Sequence, residues 1–225
     1  FGSRLSEWQR LGSPASDGMH LPALLYCCTA ENDEANYWES WDKPQGSNKS
    51  TSPFEFTVEV NRKAGTFLGL DLDLLDGRTG QVCHVRPEFM ETYNNSAEGG
   101  MQVHVGDFIM SVNGRCGRVE DMMTEILNST SLIMVLRRPQ TVRVAVEKDG
   151  ELGLDLMHTN NGVSLMVKRV NKGPIQHWNA TAAEGNQEVR RFDRIMVVNG
   201  CSGSAAKMLE TVKASCSLDM IIARP

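Results

Sequence analysis

Several protein classes are excluded by what the sequence does not contain. No run of about 20 apolar residues occurs, so no segment is long enough to span a bilayer as a helix, and any membrane association is peripheral, through partners. There is no CxxC pair and no Cys/His spacing of the metal-ligand type. The five histidines, His20, His84, His104, His158 and His177, are scattered without a matched pair, which leaves no metal site to assign. No Ser, Cys or Thr stands in a nucleophile elbow. Glu120 and Asp121 are neighbours on an expected helix, so they face different directions and make no acid–base pair. The chain is expected to have no catalytic residue, no metal and no cofactor. Positive charge is also scarce: 23 Lys and Arg against 28 Asp and Glu leave a formal net charge of −5, which speaks against nucleic acid as a partner.

What the sequence does contain is a duplication. Leu68-Gly69-Leu70-Asp71-Leu72 returns as Leu152-Gly153-Leu154-Asp155-Leu156. Further on, Asp107 pairs with Asp193, Val112-Asn113-Gly114 with Val198-Asn199-Gly200, Met134 with Met220 and Arg138-Pro139 with Arg224-Pro225, each 86 residues apart. A repeat of that length is enough for a small independent core, unlike the shorter periods of solenoids. The expected organisation is an arm over 1–53, a first domain over 54–139 and a second over 140–225.

The cysteines do not follow this repeat. Cys27 and Cys28 are adjacent, while Cys83, Cys116, Cys201 and Cys216 do not sit at equivalent positions, so no disulfide framework is expected and a reducing compartment is favoured. The chain begins at Phe1 rather than Met, which reads as an excerpt or a processed product and leaves the compartment undetermined between the cytoplasm and an organelle interior. Charge divides unevenly, with 4 basic and 7 acidic residues in the arm, 8 and 12 in the first domain, and 11 and 9 in the second. Arg190, Arg191 and Arg194 with Lys168, Arg169 and Lys172 form a basic cluster that reads as solvated surface.

The arm is punctuated by Gly12, Pro14, Gly18, Pro22, Pro44 and Gly46, and is not expected to fold alone. Yet it holds Trp8, Tyr37, Trp38 and Trp41, and disordered tails are normally poor in aromatics. These four residues are either packed on the arm's own domains or anchored in a partner's pockets.

In the first domain Phe54, Phe56, Val58 and Val60 alternate with polar residues, the period of a half-buried strand, and Val142, Val144 and Val146 do the same in the second. The pentapeptide strand follows, with Leu68, Leu70, Leu72 and Leu74 on one face and Asp71 and Asp73 on the other. Strands are expected over 81–85 and 163–170, short helices over 88–94 and 174–179, and strands ending in Asn-Gly turns over 108–112 and 195–198. Amphipathic helices over 119–127 and 205–213 and apolar strands over 132–136 and 218–222 close each domain. The fold class is α+β: two similar, partly open β-barrel or sandwich units of about six strands and two helices each.

These residues resemble a PDZ domain. The resemblance rests on the Φ-Gly-Φ loop entering a strand, on Gly106-Asp107-Phe108-Ile109-Met110-Ser111-Val112-Asn113-Gly114 with its repeat Phe192-Asp193-Arg194-Ile195-Met196-Val197-Val198-Asn199-Gly200, and on the helix and strand that follow. It covers both domains and leaves the arm unexplained. It implies a protein that binds partner C-termini, or internal strands, by β-addition to the pentapeptide strand. The carboxylate would be held by the N–H groups of Leu68, Gly69 and Leu70, or of Leu152, Gly153 and Leu154, such an outward-facing concavity being suited to an anion. Leu72 lies further along the groove. Val119, Met123 and Ile126 on one helix, and Ala205, Leu209 and Val212 on the other, would line the side-chain pockets, unless they are core residues of amphipathic helices.

Val119 and Ala205 stand where the commonest class of the family has a histidine, which implies an apolar rather than a hydroxyl preference. Lys63 occupies the position of a basic residue that helps the carboxylate, and Lys148 is one place off in the shorter second loop. The sequence also departs from the family. Phe67 and Glu151 replace the first loop glycine, Phe192 replaces the glycine found at Gly106, and Asp71 and Asp155 beside the grooves disfavour acidic tails. Two functions are therefore expected: a tandem scaffold or adaptor whose first groove is the better receptor, or an architectural subunit of a larger assembly, such as an organellar membrane complex, docked by its arm with vestigial grooves.

Overall fold

The structure is a computed structural model that describes residues 54–182 and 187–225. The candidate anchors Trp8, Tyr37, Trp38 and Trp41 lie outside the described residues.

Strands alternate with helices in the same order twice. The first unit contains β1 (Phe54–Asn61), β2 (Leu70–Asp73), β3 (Gly80–Val85), α1 (Phe89–Ser96), β4 (Phe108–Val112), β5 (Arg115–Cys116), α2 (Val119–Asn128) and β6 (Ser131–Arg138). The second contains β7 (Gln140–Glu147), β8 (Leu154–Met157), β9 (Leu165–Val170), α3 (Pro174–Ala182), β10 (Arg194–Val198), β11 (Cys201–Ser202), α4 (Ala205–Ala214) and β12 (Ser217–Arg224). Each unit is a six-stranded antiparallel sheet, ordered β1-β6-β4-β3-β2 with β5 beside β4, and β7-β12-β10-β9-β8 with β11 beside β10. This is the α+β fold of two similar units that the sequence led us to expect. In both sheets the strand that follows the Φ-Gly-Φ loop is an edge strand, with one side unpaired among the described residues.

Local chemistry explains the repeated signatures. Along β1 the alternation turns Phe56, Val58 and Val60 into the core, while Glu59 stays exposed. Asn113 and Gly114 both have positive φ, 48° and 76°, and so do Asn199 and Gly200, 49° and 76°, as a two-residue hairpin turn requires. The asparagine side chain also ties that turn to the last strand. Asn113 Oδ1 accepts from Ile133 N at 2.8 Å, and Asn199 Oδ1 from Asp219 N at 2.8 Å.

Asp107 and Asp193 are loop anchors. Asp107 accepts from His104 N at 2.9 Å and pairs with Arg138 at 3.2 Å, and Asp193 accepts from Arg190 N at 2.8 Å and from Arg224 Nε at 2.9 Å. Burial pushes the Asp107 carboxyl upward against the opposing pull of Arg138.

Two clusters form the cores. Val58, Val82, Met90, Ile109, Leu132 and Met134 belong to the first, and Val144, Leu165, Ile175, Ile195, Met208 and Met220 to the second. A third cluster belongs to both units: Cys83 and Val105 of the first pack with Val163, Met196, Val197 and Ala223 of the second. Beside it Gln81, fully buried, accepts a hydrogen bond from Ser164 Oγ at 2.6 Å and donates to Met196 Sδ at 3.3 Å.

Arg194 corrects the expectation of a solvated basic cluster. Arg190, Arg191, Lys168, Arg169 and Lys172 are exposed, but Arg194 is fully buried at the contact between the units. Its Nη1 lies 3.0 Å from Asp73 Oδ2 and its Nη2 3.9 Å from Asp76 Oδ2. Cys116, Cys201 and Cys216 form no disulfide among the described residues.

Candidate functional site

The candidate site is the groove between β2 and α2, and its counterpart between β8 and α4. The loop that opens the first groove is fixed from behind. Leu68 O accepts from Met90 N at 3.1 Å and Gly69 O from Arg86 N at 2.9 Å, so the loop carbonyls point inward to α1 and the end of β3. Among the described residues no backbone carbonyl accepts the N–H of Leu68 or Gly69. Because the Gly69–Arg86 pair bonds inward, strand alternation turns the N–H of Leu70 toward the open edge. The N–H groups of Leu68 and Gly69 thus lack a backbone acceptor among the described residues, and that of Leu70 lies on the edge side of β2. In the second loop Leu152 O accepts from Ile175 N at 3.4 Å and Gly153 O from Asn171 N at 2.9 Å, and the arrangement repeats.

Glycine is required here by geometry. Gly69 has φ of 78°, and a Cβ on it would lie 3.0 Å from Glu88 Cβ and 3.3 Å from Arg86 O. Gly153, at 80°, would meet Lys172 O at 3.0 Å and Gly173 Cα at 3.1 Å. The residues just before these loops are a different matter: Phe67 and Glu151 are not among the residues of positive φ, so their side chains strain nothing. Phe67 is instead 39% exposed beside the loop. Phe192 does pay for its replacement, holding φ of 75° where Gly106 holds 93°.

The helix α2 is tethered at both ends, which sets the width of the groove. At its C-terminal end Arg62 donates through Nη2 to Ile126 O and to Ser129 O (3.2 Å), and through Nη1 to Thr66 O (2.8 Å) in the loop. A cation on the last carbonyls of a helix is also favoured by the helix dipole. Partial burial lowers the Arg62 pKa from its ordinary value, and the guanidinium remains charged. At the N-terminal end Val119 N donates to Gly77 O at 3.1 Å, satisfying one of the orphan donors of a helix that has no side-chain cap. The second unit keeps the N-terminal tether, Ala205 N to Gly162 O at 2.7 Å, but Lys148, the counterpart of Arg62, reaches Gly150 O at 3.2 Å.

Of the expected lining residues, Leu70 and Leu72 are partly buried along the groove strand, and Leu68 is buried in the core. On α2, Val119 and Ile126 are 4% exposed and belong to the core, while Met123 is partly buried against it. Met122, which the sequence pattern did not single out, is a core residue. On α4, Ala205 and Val212 are buried and Leu209 is partly buried. Leu152 is buried, Gly153 sits in its loop, and Leu154 is partly buried. Lys63 is exposed, and its side chain has no partner among the described residues. Arg62 was missed; its signal was there, since Arg62 and Lys148 are the residues that recur 86 apart.

Asp71 does not present a free charge to the groove. It is 7% exposed and accepts from Arg86 Nε at 2.8 Å and Arg86 Nη2 at 2.7 Å, with His84 Nδ1 at 3.6 Å. The expectation that it repels acidic tails fails because Arg86 neutralises it. Asp155 is more exposed and accepts from Asn171 Nδ2 at 2.8 Å.

A cavity of about 600 Å³ opens elsewhere, between the end of β7 and α3, lined by Val146, Pro174, His177 and Trp178 among others. None of the expected peptide-binding residues lines it. Among the described residues no group of three or more His, Cys, Asp or Glu is placed to hold a metal, and no helix is long and apolar enough to cross a membrane.

No family model and no curated protein matches the chain. Among solved structures it is similar to one described as "Structure of INAD PDZ45 in complex with NG2 peptide", at 17% identity and a TM-score of 0.31, covering 81% of this chain and 95% of that one.

Proposed function

We propose that this chain is a non-enzymatic protein-interaction module, built of two units over 54–139 and 140–225 behind the arm 1–53, whose first groove receives the free C-terminus of a partner protein. The observation that carries this is the pair of N–H groups at Leu68 and Gly69, without a backbone acceptor among the described residues, leading into an edge strand. Three donors in a row suit a carboxylate, and the open side of β2 suits the backbone of the residues before it. Leu70, Leu72 and Met123 supply apolar contacts for the ligand's side chains, and the absence of a histidine at Val119 favours an apolar residue there. The partner is protein rather than nucleic acid.

The second groove is the weaker receptor. Glu151 is exposed next to its loop, where it repels a ligand carboxylate, and α4 lacks the arginine tether of α2. Titration of the isotope-labelled full chain with C-terminal peptides ending in an apolar residue tests the assignment. The amide signals of Leu68, Gly69 and Leu70 shift first; shifts confined to other surfaces contradict it.

A further inference from the structure

Arg194 belongs to the second unit, yet the two carboxylates it contacts stand at the far end of the first groove. Asp73 is the last residue of β2, and its side chain is fully buried, like that of Arg194. Asp76 shapes the turn that follows: its Oδ1 accepts from Arg78 N at 2.7 Å and Thr79 N at 2.8 Å, and its Oδ2 from Thr79 Oγ1 at 2.5 Å. That turn puts Gly77 at φ of 69° and aims its carbonyl at Val119 N, the first residue of α2. A continuous chain of contacts therefore runs from β10 through Arg194 to Asp73 and Asp76, on to Gly77, and into the N-terminus of the groove helix.

The Arg194 contact is charge on charge rather than an aligned hydrogen bond. Its three guanidinium nitrogens and Asp73 Oδ2 have no hydrogen-bond partner among the described residues. A buried pair of this kind offsets its desolvation only in part, so it specifies an arrangement more than it adds stability. The duplicate confirms that nothing in the fold demands it, since Arg194 occupies the place that Phe108 holds in the first unit.

We propose that Arg194 is a positioning residue for the first groove: the second unit, through this one cation, holds the β2–β3 turn against α2, closes the groove after the four residues of β2, and so restricts it to short C-terminal segments. The proposal rests on the peptide-binding reading of that groove. In the second unit the same tether, Ala205 N to Gly162 O, is made with no ion pair from a first-unit cation among the described residues, which gives an internal reference.

The test uses the full chain and two readouts. Arg194→Met leaves Asp73 and Asp76 without their countercharge and lowers stability, so the decisive variant is Arg194→Met/Asp73→Asn, in which the closer charge pair goes while an amide Oδ1 at position 73 still accepts from Leu75 N and Asp76 keeps its bonds from Arg78 N and Thr79. Amide hydrogen exchange at Val119 is expected to accelerate about tenfold in the double variant while Ala205 changes by less than about twofold, with Arg194→Lys in between. Unchanged protection at Val119, or equal acceleration at both amides, overturns the proposal. The second readout compares a four-residue apolar C-terminal peptide with an internal strand peptide of eight residues. The parent chain prefers the first, and the double variant loses that preference. Preference retained in the double variant also overturns it. The exchange readout needs no ligand, so a chain that binds neither peptide refutes the binding reading and leaves the Arg194 coupling to be decided by Val119.

Discussion

Gln81 Oε1 accepts a hydrogen bond from Ser164 Oγ over 2.6 Å, and the two residues belong to different sheets. Both are fully buried, beside the apolar cluster that Cys83 and Val105 share with Val163, Met196, Val197 and Ala223. The interior thus runs without a break from one unit to the other. Replacing Gln81 with Ala leaves the Ser164 hydroxyl unpaired and opens a gap beside Met196, which costs about 2–4 kcal/mol. In calorimetry the parent chain unfolds in one transition across both units, and Gln81→Ala lowers its midpoint; two separate transitions in the parent would show that the shared interior does not couple them.

Arg62 joins the loop to the end of the groove helix, so Arg62→Met loses hydrogen bonds to Thr66 O, Ile126 O and Ser129 O at once. Each bond from a charged donor contributes about 1.5–3 kcal/mol at most, and partial exposure reduces that, so the stability loss is about 2 kcal/mol in chemical denaturation. Peptide affinity of the first groove falls about tenfold for a shift of 1.4 kcal/mol in loop position energy. Lys63→Met, at an exposed neighbour, leaves stability unchanged.

Gly69→Ala and Gly153→Ala separate the two loops. Both force a Cβ onto a left-handed backbone, but at Gly69 one of the close atoms is a side-chain carbon of exposed Glu88, whereas at Gly153 they are all backbone. Gly153→Ala is therefore the more destabilising, by about 1 kcal/mol beyond the 1–2 kcal/mol of the left-handed conformation itself. Equal losses in thermal denaturation would mean that the second loop relaxes more readily than its contacts suggest.

His104 makes the first unit acid-sensitive. Burial, with a smaller contribution from Arg138, lowers its pKa below the ordinary 6.5. The unfolded chain then binds a proton that the folded chain resists, so the stability from neutral His104 is complete above pH 6.5 and is lost as pH falls from 6.5 toward the lowered folded value. His104→Gln flattens the slope of unfolding free energy against pH in that window. A slope unchanged by the substitution assigns the acid sensitivity to another group.

The fold was legible because its signals are local and occur twice. Alternation marks β1 and β7, the Asn-Gly pairs mark their turns, and the Φ-Gly-Φ loops mark the edge strands. What the sequence hid is what pairs over long separations. Asp73 and Asp71 lie on one face of β2, and period alone placed them toward solvent; their partners Arg194 and Arg86 are 121 and 15 residues away and bury them instead. Arg194 sat in a run of basic residues and took on their solvated character, although the Phe at the equivalent position of the other copy pointed to an inward-facing site. The helix positions Val119 and Ile126 turned out deeper than Met123 because α2 is pinned against the sheet at both ends, which no single-helix pattern records.

The most direct measurement is the affinity of the full chain for one peptide with an apolar C-terminal residue, offered once as the free acid and once as the amide. If the N–H groups of Leu68, Gly69 and Leu70 hold a carboxylate, the acid binds at least about tenfold more tightly than the amide, a difference of 1.4 kcal/mol, and Gly69→Ala removes the difference. Equal affinity for the two forms, or binding of neither, contradicts a carboxylate receptor in the first groove.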